Sequence, residues 1–453
     1  MKKYIALVVS MIFVLGFAAS AFAMHSEIPT DTQAVVAQGT AQLKLSGEIR
    51  FRGEIRSNII DFESDAKTVT AVGPSEGSNY DTRVRLNIDA KLTPNTSGRI
   101  GIETGNGANG DTDNWGVARA TTGATGIYAQ GNSQAGGLNL YEAWILHTGS
   151  GLLGIPAGLK VGHMGLKLGN GLFFDHTRFG DDAVVAFIDP SKELHMGLVN
   201  AKFSEGADVA GANDSDAYVF VVVYKPSKDT NLGADVTYVN DQNGNLGFGA
   251  GTDVHFWNIG LRGDTNISGL GIKLDAELQG GKLTDVGATD LKFAGYALLA
   301  GLSYKLDPVK LSLDFAYGSG DNDADNKIEN FVSSLGNDIH YTYVYEYRTG
   351  ALNAGLSQGL NNTTYVKLGV DSDLTKEISG SLSGYWLRAS KVGAGVSKSI
   401  GTEVDAKVSY KIDKNLMYWV EGGYLFAGGF VTDTVNANKE NAYAVRHGLQ
   451  LNF

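Results

Sequence analysis

Cysteine is absent from the 453 residues, so no disulfide, thiolate nucleophile or thiolate-held metal can form. Proline is scarce, at seven. Beyond Ala23 no apolar run approaches the roughly 20 residues a helix needs to cross a bilayer. Basic residues are the minority, with 37 Lys and Arg against 49 Asp and Glu. A chain of formal charge −12 is a poor match for nucleic acid, whose phosphates ask for a basic face. Catalytic motifs are missing too. There is no H-E-x-x-H and no G-x-S-x-G. His147, His163 and His195 read as isolated wall or rim residues. No catalytic residue, metal site or cofactor is expected. Gly149–Gly154 spells G-x-G-x-x-G, but it runs into Ile155-Pro156 and another strand, not a phosphate-cradling helix, and reads as a turn. Asp321, Asp323 and Asp325 open like a calcium loop, yet Asn326 replaces its sharp-turn glycine and Val332 its terminal glutamate.

What is abundant is glycine (60), tyrosine (20) and phenylalanine (19), a mix suited to strands and tight turns. The dominant pattern has period two. In residues 42–57 Leu43, Leu45, Ile49, Phe51 and Ile55 share one parity, while Lys44, Glu48, Arg50, Arg52, Glu54 and Arg56 share the other. Residues 80–92, 272–279, 309–317 and 403–412 repeat it. Such segments are strands with one apolar and one charged face.

Short links (93–96, 189–192, 226–229, 307–308, 374–377, 413–415) alternate with long polar ones (about 57–79, 105–136, 166–182, 204–216, 318–362, 427–441). Alternation of short turns and long loops is the pattern of an outer-membrane barrel. The expected fold is therefore all-β, a closed antiparallel transmembrane barrel of about 18 strands, with 16 also compatible. Closure is required because an open edge in lipid would leave N–H and C=O groups without partners. The soluble rival, a large sandwich or propeller, does not call for so regular an alternation of loop lengths.

Residues 1–23 have the form of a secretory signal: Lys2 and Lys3, an apolar run from Tyr4 to Phe17, and small-x-small at Ala21–Ala23. Residues 24–41 are then a periplasmic N-terminal segment and 42–453 the barrel. The implied location is the outer membrane of a Gram-negative bacterium.

If the apolar parity meets lipid, the charged parity lines the lumen. The first three strands supply Arg50, Arg52, Arg56, Arg83, Arg85 and Arg99, with Glu48 and Glu54 among them; later strands supply Asp275, Glu277, Glu403 and Asp405. This sets an arginine ladder against an acidic arc, a transverse field across a water-filled pore. The link 169–182 carries Asp175, His176, Arg178, Asp181 and Asp182, with Phe173, Phe174 and Phe179 as anchors; folded inward, it narrows the lumen. The chain ends on Arg446, Gly448, Leu451 and Phe453, a pattern resembling the one the outer-membrane assembly machinery reads in its clients.

The stretches 140–144, 159–182 and 401–430 resemble the porin-type barrels related to alginate-export proteins. That resemblance implies an 18-stranded outer-membrane channel with an arginine-rich lumen. One departure is His163 after Val161-Gly162, where the family tends to carry arginine; the resemblance supports a channel better than it supports alginate as cargo. The expected activity is passive diffusion of small hydrophilic or charged solutes, with membrane lipid and the assembly machinery as partners. A monomer and a homotrimer fit equally. The rivals are a more specific anionic-solute channel, a barrel sheath housing a periplasmic or electron-transfer partner, and an outer-membrane enzyme with a Ser, Asp or His cluster on one rim.

Overall fold

The computed structural model describes residues 34–38, 41–59, 62, 69–70, 73–74, 77–104, 113–114, 138–178, 180–205, 214–242, 252–284, 290–322, 325–333, 341–350, 359–435, 437 and 439–453. The expected signal segment 1–23, most of the expected periplasmic segment 24–41, Phe179 and Asp323 lie outside them.

Eighteen strands form the wall. They are β1 (Ala41–Ser57), β2 (Gly77–Thr93), β3 (Thr96–Thr104), β4 (Leu138–Ser150), β5 (Pro156–Met164) and β6 (Asp181–Ile188). Then come β7 (Leu194–Ser204), β8 (Ser215–Ser227), β9 (Thr230–Asp241), β10 (Asp253–Ile267), β11 (Leu270–Thr284) and β12 (Tyr296–Leu306). The last six are β13 (Val309–Gly318), β14 (Thr363–Asp373), β15 (Ile378–Ala389), β16 (Ser399–Lys411), β17 (Leu416–Ala427) and β18 (Ala442–Asn452). Each pairs antiparallel with the next. β18 returns to β1 with Glu48 opposite Asn452 and Ser57 opposite Tyr443, which closes the barrel. The seam continues one residue further: the Gly47 N–H donates to the Phe453 carbonyl at 2.7 Å and the Phe453 N–H to Gly47 at 3.0 Å. Beyond that point β1 would be an open edge. Ala34–Gln38 folds back and pairs with Ala41–Leu45, covering it.

All short links lie at one end, together with Ala41 and Asn452, and all long links at the other. The G-x-G-x-x-G stretch is indeed a turn, with a 3-10 helix at Leu152–Gly154 and left-handed backbone at Leu153 (φ 61°) and Gly154 (φ 77°).

The outward face is apolar. Ile49, Ile55, Leu261, Leu274, Leu368 and Val408 all stand exposed. In water such a surface would drive aggregation; in a bilayer it is the lipid contact. Outward tyrosines gather at two heights. Tyr218, Tyr238, Tyr296 and Tyr424 are near the long loops, and Tyr224, Tyr304 and Tyr410 near the short turns. These are the two interfacial girdles expected of a barrel in a membrane.

The inward face is less uniform than its sequence pattern suggests. From β1 to β5 and from β14 to β18 it carries ionised side chains. On β6 to β8 it is apolar, with Ala183, Ala201, Ala217 and Val219 buried. Those side chains are buried because a loop lies on them.

Candidate functional site

The predicted arginines face inward on one wall, and carboxylates stand between them. Arg83 donates to Glu48 through Nε at 2.8 Å and Nη2 at 2.7 Å. Arg52 grips Asp81, directly opposite in register, through Nε at 2.9 and 3.1 Å. Arg85 donates to Glu103 at 2.8 Å, and Arg99 to Asp89 at 2.7 Å and to Glu142 at 3.0 Å. Arg56 lies 3.6 Å from Glu54. Arg50 and Arg83 are register partners, with Glu48 one rung away. Charge-assisted bonds of this kind hold the guanidinium planes in fixed orientation. Their net worth is small, because both charges are desolvated. The ladder is thus a lattice of ion pairs.

A β-bulge shapes the next part of this wall. Gly101 pairs with Glu142 and Ile102 with Leu140, so Tyr141 is an extra residue in β4. The local bend lets the consecutive Tyr141 and Glu142 both serve the interior. Tyr141 donates to Asn87 and lies under Arg85, whose Cζ is 4.6 Å from the ring centre. Trp144 follows, with Lys160 Nζ 4.1 Å from its ring centre.

The link between β5 and β6 folds onto the inner wall. Leu168 N–H donates to Phe174 at 3.0 Å and His176 N–H to Leu166 at 2.8 Å, making a small hairpin. Its tip needs glycine: Gly169 (φ 55°) and Gly171 (φ 81°) flank Asn170. The tip reaches β11, where the Asn170 backbone N–H and its Nδ2 both donate to Asp275 Oδ2, at 3.0 and 2.9 Å. Phe173 and Phe174 are buried beside Phe256 of β10 (5.6 Å between ring centres) and Phe203 of β7 (5.9 Å) respectively. Asp175 pairs with Lys167 at 2.7 Å and His176 Nδ1 with Asp181 at 2.8 Å. Arg178 is half-buried. Asp182 takes the opposite parity: its side chain is 76% exposed and meets His163 at 2.9 Å. It does not join the other loop charges.

A second inward segment was not singled out in the sequence. Tyr341–Gly350, part of the long link between β13 and β14, ends in a π-helical turn at Tyr345–Gly350. It sits on β16. The Tyr343 N–H donates to Asp405 at 3.0 Å, while the Val344 and Tyr345 N–H groups donate to the two Glu403 oxygens at 2.6 and 2.8 Å. Glu403 and Asp405 are therefore 0% and 2% exposed. Gly423 makes the seat, since a Cβ there would collide with Asp405, Val344 and Tyr343. Tyr341 stacks on Tyr365 (4.6 Å) and the Tyr345 hydroxyl meets Thr363 at 3.1 Å. Further round the same wall, past β17 and β18, Arg348 pairs with Glu54 of β1, and its Cζ lies 4.0 Å from the Tyr347 ring centre. Burial raises the Tyr341 and Tyr343 phenols above their ordinary range, so both remain neutral.

The acids expected to form an open arc are inward but covered. Asp275 holds the first loop, Glu403 and Asp405 hold the second, and Glu277 accepts from Asn258 at 2.7 Å. Gln279, beside them on β11, clasps Val332 of the same long link through both of its backbone groups, each at 2.8 Å.

On the closing strand Arg446 is buried against Glu421 (2.8 Å) and donates to the Tyr347 hydroxyl at 3.3 Å. Gly448 leaves room for the Trp419 ring, Leu451 faces lipid, and the Phe453 ring covers Gly47. The histidines are dispersed. His163 lies near the long-loop end with Asp182, while His195 (with Asp189, 2.6 Å) and His147 (with Thr96, 3.0 Å) lie near the short turns. Among the described residues no group of His, Asp and Glu is arranged to hold a metal. Asp321 and Asp325 accept backbone N–H groups of Glu329 and Lys327.

Solved structures of similar shape come from Pseudomonas aeruginosa. OccK9 (OpdG) superposes with a TM-score of 0.56 at 11% identity, over 91% of this chain and 98% of that one. OccK11 (OpdR) gives 0.53 at 14%, over 91% and 96%. OccK2 (OpdF), solved in complex with glucuronate, gives 0.53 at 11%, over 91% and 98%. At such identities the likeness shows the fold. No protein of curated function matches the chain in sequence. The profile of the family described as alginate export matches residues 137–445, from the start of β4 into β18. A match over more than half the sequence settles the relationship: the chain is an outer-membrane, porin-type β-barrel and belongs to the alginate-export family.

Proposed function

We propose that this barrel is a passive channel for small hydrophilic or charged solutes. One observation carries the reading. A closed 18-strand wall, apolar outside, presents ionised side chains to its interior, and several keep partial access to water; the Arg99 side chain is 33% exposed. A barrel of this strand number is too wide for its wall side chains to fill. The two inward loops narrow it from opposite sides, and the solute moves by diffusion past fixed charges with no bond chemistry. Sugar acids are the first solutes to try, because the family description is alginate export and OccK2 was solved with glucuronate.

The test is single-channel recording of the purified mature protein in planar bilayers, with reversal potentials in a salt gradient. Stepwise ohmic currents are expected. A protein that is folded by its heat-modifiable gel mobility, yet passes no current, would falsify the channel.

A further inference from the structure

We propose that Lys160, seated on Trp144, is a lumen subsite for carboxylates that carry an apolar body. This deepens the channel reading and rests on it. Arg52, Arg83, Arg85 and Arg99 of the ladder are already matched by protein carboxylates, and two other inward lysines of the wall face acids: Lys310 opposes Asp371 and Lys367 opposes Asp314. Lys160 differs. Its register partners are Leu146 on β4 and Val185 on β6, both apolar. Among the described residues no carboxylate or carbonyl lies within ion-pair or hydrogen-bond distance of its Nζ, and the neighbouring acid Glu142 is engaged by Arg99.

The surroundings define the ligand. The ammonium rests 4.1 Å from the Trp144 ring centre, and the buried Trp144 Nε1 has no acceptor among the described residues. Two residues toward the short-turn end, the Phe187 ring covers Gly158 in the adjoining register pair. A cation on an apolar floor favours an anion whose remainder is also apolar. The carboxylate takes the ammonium, and the ring or chain buries against Leu146, Val185 and Phe187. A hydrated inorganic anion gains only the first of these.

Two measurements read the site, with benzoate as probe and acetate as the anion lacking a body. Calorimetric titration of the full mature protein in detergent reports binding whether or not current flows; block of chloride current in bilayers reports the same site in the pore. Benzoate should bind more tightly than acetate. Lys160→Gln should weaken benzoate about tenfold, the loss of one charged hydrogen bond. Lys160→Arg should restore most of it, and Trp144→Leu should shrink the benzoate-over-acetate preference. Equal binding of benzoate and acetate to the wild type, or unchanged benzoate affinity in a folded Lys160→Gln variant, overturns the subsite. Benzoate binding that depends on Lys160 in a protein passing no current would overturn the channel and leave the subsite standing.

Discussion

The two segments that enter the barrel are held by different physics. Residues 165–180 lie on an apolar inner wall and are fixed mainly by aromatic burial: Phe173 and Phe174 against Phe256 and Phe203, with one polar tether at Asn170. Residues 341–350 lie on a charged wall and are fixed by carboxylates that take three successive backbone N–H groups. Both solutions satisfy buried groups, one by matching apolar surfaces and the other by matching donors with acceptors. The difference bears on function. An inward carboxylate is not thereby a pore charge: Asp275, Glu403 and Asp405 are spent on holding loops.

If that is right, the polar seat breaks most readily by neutralisation. Charged hydrogen bonds are each worth about 1.5–3 kcal/mol, and an amide in place of the carboxylate also presents a donor to a donor. Glu403→Gln combined with Asp405→Asn should weaken docking of 341–350 by roughly 5 kcal/mol. The expected result is the largest rise in single-channel conductance of any substitution considered, with faster hydrogen exchange at Val344 and Tyr345. Gly423→Val should reproduce it by filling the seat. Wild-type conductance in both variants, at normal folded yield, would show that the segment does not restrict the pore.

The apolar seat should respond to truncation instead. Phe173→Ala removes the ring from a fully buried site, a change that typically costs about 3 kcal/mol. Conductance should rise less than in the double carboxylate variant, because the Asp275 tether and the Lys167–Asp175 pair remain. Raising the salt concentration should alter loop exchange rates less in this variant's 165–180 than in 341–350, since charged contacts hold only the tip and base of the first loop but carry the backbone seat of the second. Equal salt sensitivity in the two loops would erase the distinction.

Much of the barrel was legible in the sequence, and the reason is the strictness of period two. A strand between lipid and a charged lumen must alternate, so residues 42–57 or 403–412 declare both faces. Link lengths declare the two ends. The departures carried a signal as well. Residues 217–224 are apolar without interruption, which a strand between lipid and water could not be; the second apolar face required a cover, and 165–180 supplies it. The docking of 341–350 was not legible. Tyr341, Tyr343, Tyr345 and Tyr347 alternate like one more strand face, and nothing local says that Glu403 and Asp405, some 60 residues later, will capture the backbone N–H groups between them. Strand periodicity reports which face a side chain takes. It does not report which donor will meet it there.

The smallest effect in the comparison belongs to Asn170. Its backbone N–H still reaches Asp275 when the side chain is cut, so Asn170→Ala removes one of two bonds to the same oxygen and costs about 1 kcal/mol. With Phe173 and Phe174 still buried, the loop should stay docked, and conductance should remain near wild type with only faster exchange at the tip. Combining the change with Phe173→Ala sharpens the point. Tether and aromatic patch act on one rigid hairpin, so once the Phe173 ring is gone the tether carries a larger share of the docking beside Phe174. The double variant should therefore raise conductance by more than the two single changes added together. Simple additivity would mean that the tip and the aromatic patch open independently, and that the hairpin is not a single docked unit.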